Sequence, residues 1–277
     1  MIEFPFRLSS DLIEIGVAKD MQVRRMDDET KARLLRIENA QYNENGQLSH
    51  FTSLSGCLLS VPLSPSLDIY DEFCSSNYVL IAPSSERAAE FNFALKLAGN
   101  SCSCLYIGYE PPGSTFFLAP SHYFGHSALV VTQEEAKNLS KLLVQVEQGR
   151  SDKKLQLMFD IYLHALSPKL RKESGFIEVA VILEMLLLPS SSAELSYRFS
   201  LRLAKLMSQH FGESITEVFE HGRRTYKTRS NIVHGGSDHQ LKDVALIAYN
   251  YARILLAIYL DDKTLFQEVN LDALCLS

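Results

Sequence analysis

The stretch Phe176-Ile-Glu-Val-Ala-Val-Ile-Leu-Glu-Met-Leu-Leu-Leu188 is apolar on nearly every side of a helix, and Glu178 and Glu184 are its interruptions. A helix without a polar face is normally buried all round, so this stretch predicts the central helix of a bundle. It is too short and too charged to cross a bilayer, and we expect no membrane association.

Starting and stopping signals on both sides of this stretch predict further helices. Thr132-Gln-Glu-Glu135 and Ser214-Ile-Thr-Glu217 fit the capping box, and so does Ser191-Ser-Ala-Glu194. The predicted helices lie near 133–148, 152–166, 174–188, 194–210, 214–234 and 239–260. In the last of these, apolar residues from Leu241 to Ile258 recur at alternating spacings of three and four. This seam favours intramolecular core over a contact between two subunits, since bundles use the same pattern.

The region before residue 130 has a different pattern, with short β-type runs separated by turn residues. The clearest runs lie at 58–61, 78–81, 104–107 and 115–118, and one helix runs from Ser84 to a stop at Gly99-Asn100. The sequence therefore predicts an α+β chain. Residues 1–148 form a β-rich mixed domain for sensing or targeting, and residues 149–277 form an antiparallel helical bundle.

Composition narrows the class of protein. The chain has 277 residues, 46% apolar and 22% charged, with a formal net charge of -6. These values are typical of a globular protein, and any contact with nucleic acid must depend on a local basic patch. The N-terminus lacks a basic region followed by an apolar core, so we expect no signal peptide. The five cysteines complete no zinc pattern, which indicates reduced thiols and a cytoplasmic protein.

Metal and cofactor sites are weakly indicated. His122 and His126 stand four residues apart, but no third ligand is evident. A loop at the end of a strand is the favoured explanation, and a metal or ligand site is the alternative. We expect neither a metal nor a cofactor.

The segment Arg229-Ser-Asn-Ile-Val-His234-Gly-Gly236 ends the helix predicted at 214–234. Arginine can bind a phosphate through two nitrogens, and histidine can transfer a proton near neutral pH. Five residues of a regular helix separate the two side chains by about 140°. They can meet if the last turn loosens, or if each subunit of a dimer supplies a copy. The two glycines predict a helix stop, which places His234 where exposed carbonyls favour a protonated imidazole.

The same helix carries the densest basic cluster of the chain. Arg223, Arg224 and Lys227 surround Tyr226. In an acidic protein, this cluster is a candidate surface for an RNA backbone. It is also what an ordinary basic helix end looks like.

Glu184 lies within the apolar central stretch and allows two interpretations. It can be a carboxylate at the edge of the domain or paired with a nearby arginine. It can also hold a catalytic arginine in place. Arg202, on the next predicted helix, is its candidate partner in either case.

Three segments in order resemble the ApeA-like branch of the HEPN domain family, over about residues 150–260. Tyr226-Lys-Thr-Arg-Ser-Asn-Ile-Val-His-Gly-Gly236 is similar to the family's signature. Phe176–Leu187 resembles that branch's central helix, and Glu194-Leu-Ser-Tyr-Arg-Phe-Ser-Leu-Arg-Leu-Ala204 resembles the helix that follows.

The resemblance implies an antiparallel bundle that dimerises and cuts RNA without a metal. Arg229 would stabilise charge on the phosphate, and His234 would be the general acid or base. The RNA 2′-hydroxyl would attack, leaving a 2′,3′-cyclic phosphate and a 5′-hydroxyl. Many members act in toxin–antitoxin or antiphage systems, and a trigger or regulatory partner could act on the N-terminal domain.

The chain departs from the family pattern at two positions. Ser230 follows the arginine, where active members often have Asn, Asp or His. Gly236 stands where toxins paired with nucleotidyltransferase antitoxins have a tyrosine. Two alternatives to the nuclease therefore stay open. One is a non-catalytic module that binds RNA, a nucleotide or a partner protein, and the other is a dimerisation domain that uses the Leu241–Ile258 seam.

Overall fold

The computed structural model describes residues 1–6, 8–27, 29–30, 34, 37–42, 48–53, 76–99, 107–110, 114–117, 129–166, 172–190, 193–236 and 241–276. The chain divides into two compact units, Met1–Val144 and Gln145–Ser277. This division falls inside a helix that ends at Gln148, where the sequence placed its boundary. The mixed α+β architecture is confirmed, with an antiparallel sheet in the first unit and helices in the second.

The first unit is built on a six-stranded antiparallel sheet, in the order β3-β4-β7-β1-β8-β9. A short parallel pair, β2 with β10, and a hairpin, β5 with β6, accompany it. The strands are β1 Ile2–Phe6, β2 Leu8–Ser9, β3 Glu14–Ala18, β4 Met21–Arg25, β5 Ile37–Tyr42, β6 Leu48–Ser53, β7 Tyr78–Ala82, β8 Ile107–Glu110, β9 Ser114–Phe117 and β10 Leu129–Val130.

Burial in this sheet follows the pleat. β3 alternates, with Ile15 and Val17 buried and their neighbours more exposed, while the central strands β1 and β7 are buried almost throughout. Helix α1, Ser85–Ala98, begins where the Ser84 hydroxyl accepts from Arg87 N–H. The predictions of a strand at 78–81 and of this helix are confirmed. The predicted strand at 58–61, most of that at 104–107, and His122 and His126 lie outside the described residues.

The second unit is helical. α2 Gln133–Gln148 leads into it, and α3 Lys153–Ala165, α4 Lys172–Leu187, α5 Leu195–Phe211, α6 Ile215–Val233, α7 Leu241–Asp261 and α8 Glu268–Leu276 follow. The helices predicted from the sequence are confirmed to within two residues at each end. α8 was not predicted.

α4 is the central helix of this unit, as the apolar stretch predicts. It packs against α3, α5, α6 and α7, and Phe176, Val179 and Leu183 on it are fully buried. α6 approaches α5 closely, because a Cβ on Gly222 would lie 2.9 Å from the Ser200 Cα. This close packing fixes α6, the helix that carries the arginine and the histidine, against the core.

The Leu241–Ile258 seam is intramolecular core. Val244, Ala248, Tyr251 and Leu255 are buried within the single chain. The dimerisation alternative that relied on this seam therefore loses its surface, since these side chains are already covered.

Candidate functional site

α6 is a regular helix with a closed C-terminal end. The Ser214 hydroxyl accepts from Glu217 N–H at its start. At its end Gly235 takes a left-handed conformation with φ +81°, and its N–H donates to Ile232 C=O. Gly236 N–H donates to Asn231 C=O over 2.9 Å. These two bonds form the Schellman motif, which confirms the predicted glycine stop.

The side chain of Arg229 points from α6 toward α4 and contacts Glu184 there. The guanidinium Nη2 donates to Glu184 Oε2 over 3.3 Å, and Nε lies 3.2 Å from Oε1. The Nε contact is close enough for an ion pair but lacks the direction of a hydrogen bond, so Nε–H has no hydrogen-bond acceptor among the described residues. About a quarter of each side chain is exposed, 28% for Arg229 and 24% for Glu184. The pair is loose, and the guanidinium keeps donors for a further anion.

Burial dominates the electrostatics of Glu184. Desolvation raises the pKa of its carboxyl, and the Arg229 charge lowers it by less. A partly buried carboxylate beside an arginine, at the edge of a cleft, is the kind of group found at functional sites.

His234 lies on a different side of the same helix. It caps α6 with φ -88°, its backbone N–H donates to Ser230 C=O over 3.2 Å, and the residue is exposed. Because α6 stays helical up to this residue, the side chain of Arg229 is turned inward and that of His234 outward, about 140° apart around the axis. A single chain therefore does not bring the two predicted catalytic residues together.

The expectation that Arg202 pairs with Glu184 is wrong. Arg202 is fully buried and donates to Glu268 and Asp272 of α8, each over 2.5 Å, and to Leu187 C=O over 2.7 Å. Burial of a guanidinium requires such carboxylates around it. Arg202 thus attaches the C-terminal helix to α5 and caps a terminal carbonyl of α4, which is a structural role.

The predicted RNA-binding residues do not share one surface. Arg223 and Lys227 are exposed on the side of α6 that also carries His234, and Arg223 is paired with Glu220 over 3.1 Å. Arg224 is exposed beside a small cavity between α6 and α7. Tyr226 turns inward, its ring centroid 5.7 Å from that of Phe199. Ser230 is half-buried.

Next to the Arg229–Glu184 pair lies an open cleft of about 480 Å³ formed by α3, α4, α5 and α6. Its lining consists of Lys154, Glu184, Met185, Leu188, Pro189, Leu195 and Tyr226. Burial lowers the pKa of Lys154, against the opposite effect of Asp152. The sequence did not single out Lys154. Its position two residues after the helix cap Asp152 is the only indication in the sequence. An ordinary exposed lysine can stand at the same position.

The described part of the chain holds no candidate metal centre and one weak candidate for a membrane segment. No three His, Cys, Asp or Glu side chains gather there to hold an ion. Among those residues α7 is the one helix long and apolar enough to cross a bilayer, and most of it is buried in the second unit, which makes it weak support for a span.

Comparison of the chain with protein-family models, with curated proteins and with solved structures gives no match.

Proposed function

We propose that the chain is a metal-independent endoribonuclease whose helical unit is a HEPN-like bundle acting as a homodimer. Arg229 and His234 of both subunits would face one cleft. The observation that carries the proposal is the state of these residues on α6. Glu184 holds the arginine, whose side chain is 28% exposed, and the histidine is exposed at a closed helix end.

The chemistry needs a base, an acid and positive charge around the phosphate. One His234 would take the proton of the RNA 2′-hydroxyl, whose oxygen attacks phosphorus. The partner's His234, as imidazolium, would give a proton to the departing 5′-oxygen. The guanidinium groups would neutralise the extra negative charge of the pentavalent transition state. The products are a 2′,3′-cyclic phosphate and a 5′-hydroxyl, and DNA is not cut because it lacks the attacking hydroxyl.

Glu184 would position Arg229 rather than touch the RNA phosphate. Without a partner, an arginine side chain samples many rotamers, and ordering it on binding costs free energy. The contact from α4 limits those rotamers before the substrate arrives. Since the pair is loose, an RNA phosphodiester, whose two non-bridging oxygens share one negative charge, can compete for the guanidinium.

The outer face of α6 would guide the RNA backbone to the histidine. Arg223 and Lys227 are exposed on that side. Such surface cations raise the local concentration of a polyanion, and their effect falls with added salt. Arg224 and Tyr226, on other sides of the helix, would contact RNA only where the strand leaves that face.

The biological setting that fits is a cytoplasmic antiphage or toxin-type system. A nuclease that cuts RNA without a metal must be kept inactive until needed. The β-rich first unit is the candidate for sensing a trigger or regulatory partner, and this assignment follows from the family resemblance alone.

The test is RNA cleavage by the full-length protein in the presence of a chelator. End-labelled RNA should yield cyclic-phosphate ends, while the matching DNA should stay intact. His234→Ala and Arg229→Ala should each lose at least about a hundredfold in rate. A general acid–base group typically contributes about 10²–10⁴, and removal of one charge-stabilising donor costs about 10²–10³. His210→Ala, which removes an exposed histidine near the end of α5, should keep the wild-type rate.

Mixing the variants tests the shared cleft. Re-associated Arg229→Ala and His234→Ala chains should exceed the rate of either variant alone, because a mixed dimer retains one arginine and one histidine from different chains. The rate should stay below that of the wild type, because only one of the two proton transfers keeps its histidine. Equal inactivity of the wild type and of His234→Ala on varied RNAs would refute the nuclease proposal. Full activity of a demonstrated monomer would refute the shared cleft.

A non-catalytic module is the second candidate, and one observation favours it. In the single chain Glu184 already partly neutralises Arg229, and Arg229 and His234 face different ways. A module of this kind would bind RNA, a nucleotide or a partner protein without cutting. RNA binding that survives Arg229→Ala, in a protein that never cleaves, would identify it.

A further inference from the structure

The cleft beside the Arg229–Glu184 pair has the size and lining of a small-molecule site. Its volume of about 480 Å³ lies within the roughly 300–1,000 Å³ usual for such sites. One wall is apolar, formed by Met185, Leu188, Pro189 and Leu195. The polar groups are few and of different kinds. In small-molecule sites an apolar wall covers the ligand, and a few polar groups fix its orientation.

The polar groups offer three complementary contacts. Lys154 lines the cleft and supplies a cation, and its ammonium lies 5.6 Å from the centroid of the Tyr259 ring. Tyr226 is half-buried and supplies an aromatic ring. Glu184 supplies a carboxylate. Cation, aromatic ring and carboxylate correspond to a phosphate, a planar base and hydrogen-bond donors on that base.

Glu184 favours one base over the others. A carboxylate can accept about four hydrogen bonds, and the described contacts to Arg229 occupy one position on each oxygen. Guanine presents two parallel N–H donors, N1–H and the 2-amino group, which match two carboxylate oxygens. Adenine and cytosine present one amino group beside an acceptor, and uracil presents one N–H between two acceptors.

We propose that this cleft binds a guanine nucleotide, with the base against the apolar wall and Glu184 and the phosphate at Lys154. The nucleotide is either a free mononucleotide or one residue of the RNA chain, and the second form rests on the nuclease function proposed above. Bound as part of RNA, it would set a guanine preference close to the cut, because Glu184 contacts both the base and Arg229.

Binding is measured by calorimetric titration of full-length His234→Ala, which does not consume RNA, with the 5′-monophosphates of the four ribonucleosides. GMP should bind at least about tenfold tighter than the others, because losing a charged hydrogen bond changes affinity by that order. Lys154→Ala in this background should raise the Kd for GMP about tenfold. Lys153→Ala is the matched control, because Lys153 is exposed and does not line the cleft. This variant should leave the Kd unchanged.

A second variant closes the cleft to anions. Leu195→Glu places a negative charge in the wall and, at the first turn of α5, is compatible with the helix. Ser196→Glu is its control, because Ser196 is exposed on the same turn and outside the cleft. Leu195→Glu should abolish GMP binding and Ser196→Glu should not, with both proteins showing the wild-type circular dichroism spectrum.

Cleavage of a randomised RNA by the wild type and by Leu195→Glu separates the two nucleotide sources. A guanine preference near the cut that Leu195→Glu removes supports the RNA form. GMP binding with no RNA cleavage supports the free-nucleotide form and refutes the nuclease. Cleavage without GMP binding and without effect of Leu195→Glu overturns the cleft proposal and leaves the nuclease standing. Equal binding of all four mononucleotides overturns the assignment to guanine.

Discussion

Replacing Arg202 by methionine should destabilise the helical unit strongly without removing a catalytic group. Arg202 is 0% exposed and joins three elements, since it donates to Leu187 C=O of α4 and to Glu268 and Asp272 of α8 from its own place on α5. Methionine fills most of the volume of the side chain but donates to none of these oxygens.

The magnitude follows from what the substitution leaves behind. Breaking a buried ion pair by removing one partner costs about 3–5 kcal/mol. The carboxylates are 27% exposed at Glu268 and 50% exposed at Asp272, so water can solvate them in the variant. We therefore expect about 3 kcal/mol, at the lower end of that range. For a unit of this size, this lowers the Tm by about 12 °C.

The assay is urea unfolding followed by far-ultraviolet circular dichroism, which reports mainly on the helical unit. Arg198→Met is the matched control, because Arg198 lies on the same helix, contacts the same two carboxylates at 3.3 and 3.5 Å and is 38% exposed. An exposed pair of this kind contributes less than about 1 kcal/mol. Equal losses in the two variants would refute the structural role given to Arg202. So would an Arg202→Met protein that is fully stable but inactive on RNA.

Two further substitutions test the surroundings of Arg229 and His234. Because burial raises the pKa of Glu184, the folded state binds the carboxyl proton at a higher pH than the unfolded state does, and acidification favours folding at this residue. The unfolding free energy of the wild type relative to Glu184→Gln should rise as the pH falls from 7 and level off below the ordinary pKa of about 4.3. Urea titration at each pH measures this difference. A difference that shrinks on acidification would mean that the Arg229 charge outweighs burial in setting the pKa of Glu184. Gly235→Ala should cost about 1 kcal/mol in the same assay, because φ is +81° and no atom lies within 4 Å of the added Cβ, so the cost is backbone strain. Gly235→Asn should cost less, and equal effects of Ala and Asn would contradict this reasoning.

The helical half was predictable because its signals are local. α6 begins at a capping serine and ends at a left-handed glycine, and both signals can be read from neighbouring residues. The burial of α4 was predictable because apolar side chains surround it. Such features need no knowledge of which helices lie side by side.

Partners across helices were not predictable in this way. Glu184 was matched with Arg202 because the two predicted helices are consecutive, but packing of α4 against α6 brings Arg229 to Glu184 instead. The true partners of Arg202 lie on α8, a short helix that the sequence did not predict. A signal was present, since Glu268 and Asp272 are four residues apart and therefore share one face of a helix.

The strands β1, β3 and β4 of the first unit were missed for a different reason. β3 and β4 are short and lie among charged residues, but Ile15, Val17, Met21 and Val23 alternate with polar or small neighbours as a half-buried hairpin requires. β1 contains Pro5, which argues against a strand in a sheet interior. It is nevertheless central, paired with β7 along its whole length and with β8 at Glu3. Non-local pairing therefore overrode the local preference.

The closed end of α6 also bears on how the arginine and the histidine could meet. If they converged within one chain, the last turn would have to open. The bonds from His234 N–H to Ser230, from Gly235 N–H to Ile232 and from Gly236 N–H to Asn231 would be lost. At about 0.5–1.5 kcal/mol for each net hydrogen bond, opening these three costs roughly 1.5–4.5 kcal/mol before any substrate is bound. The proposed dimer requires no such opening, because the histidine that meets each arginine would come from the other subunit while both helix ends stay intact. For this reason the dimer is the arrangement that the helix geometry favours, and the mixed-variant experiment is the most direct measurement of it.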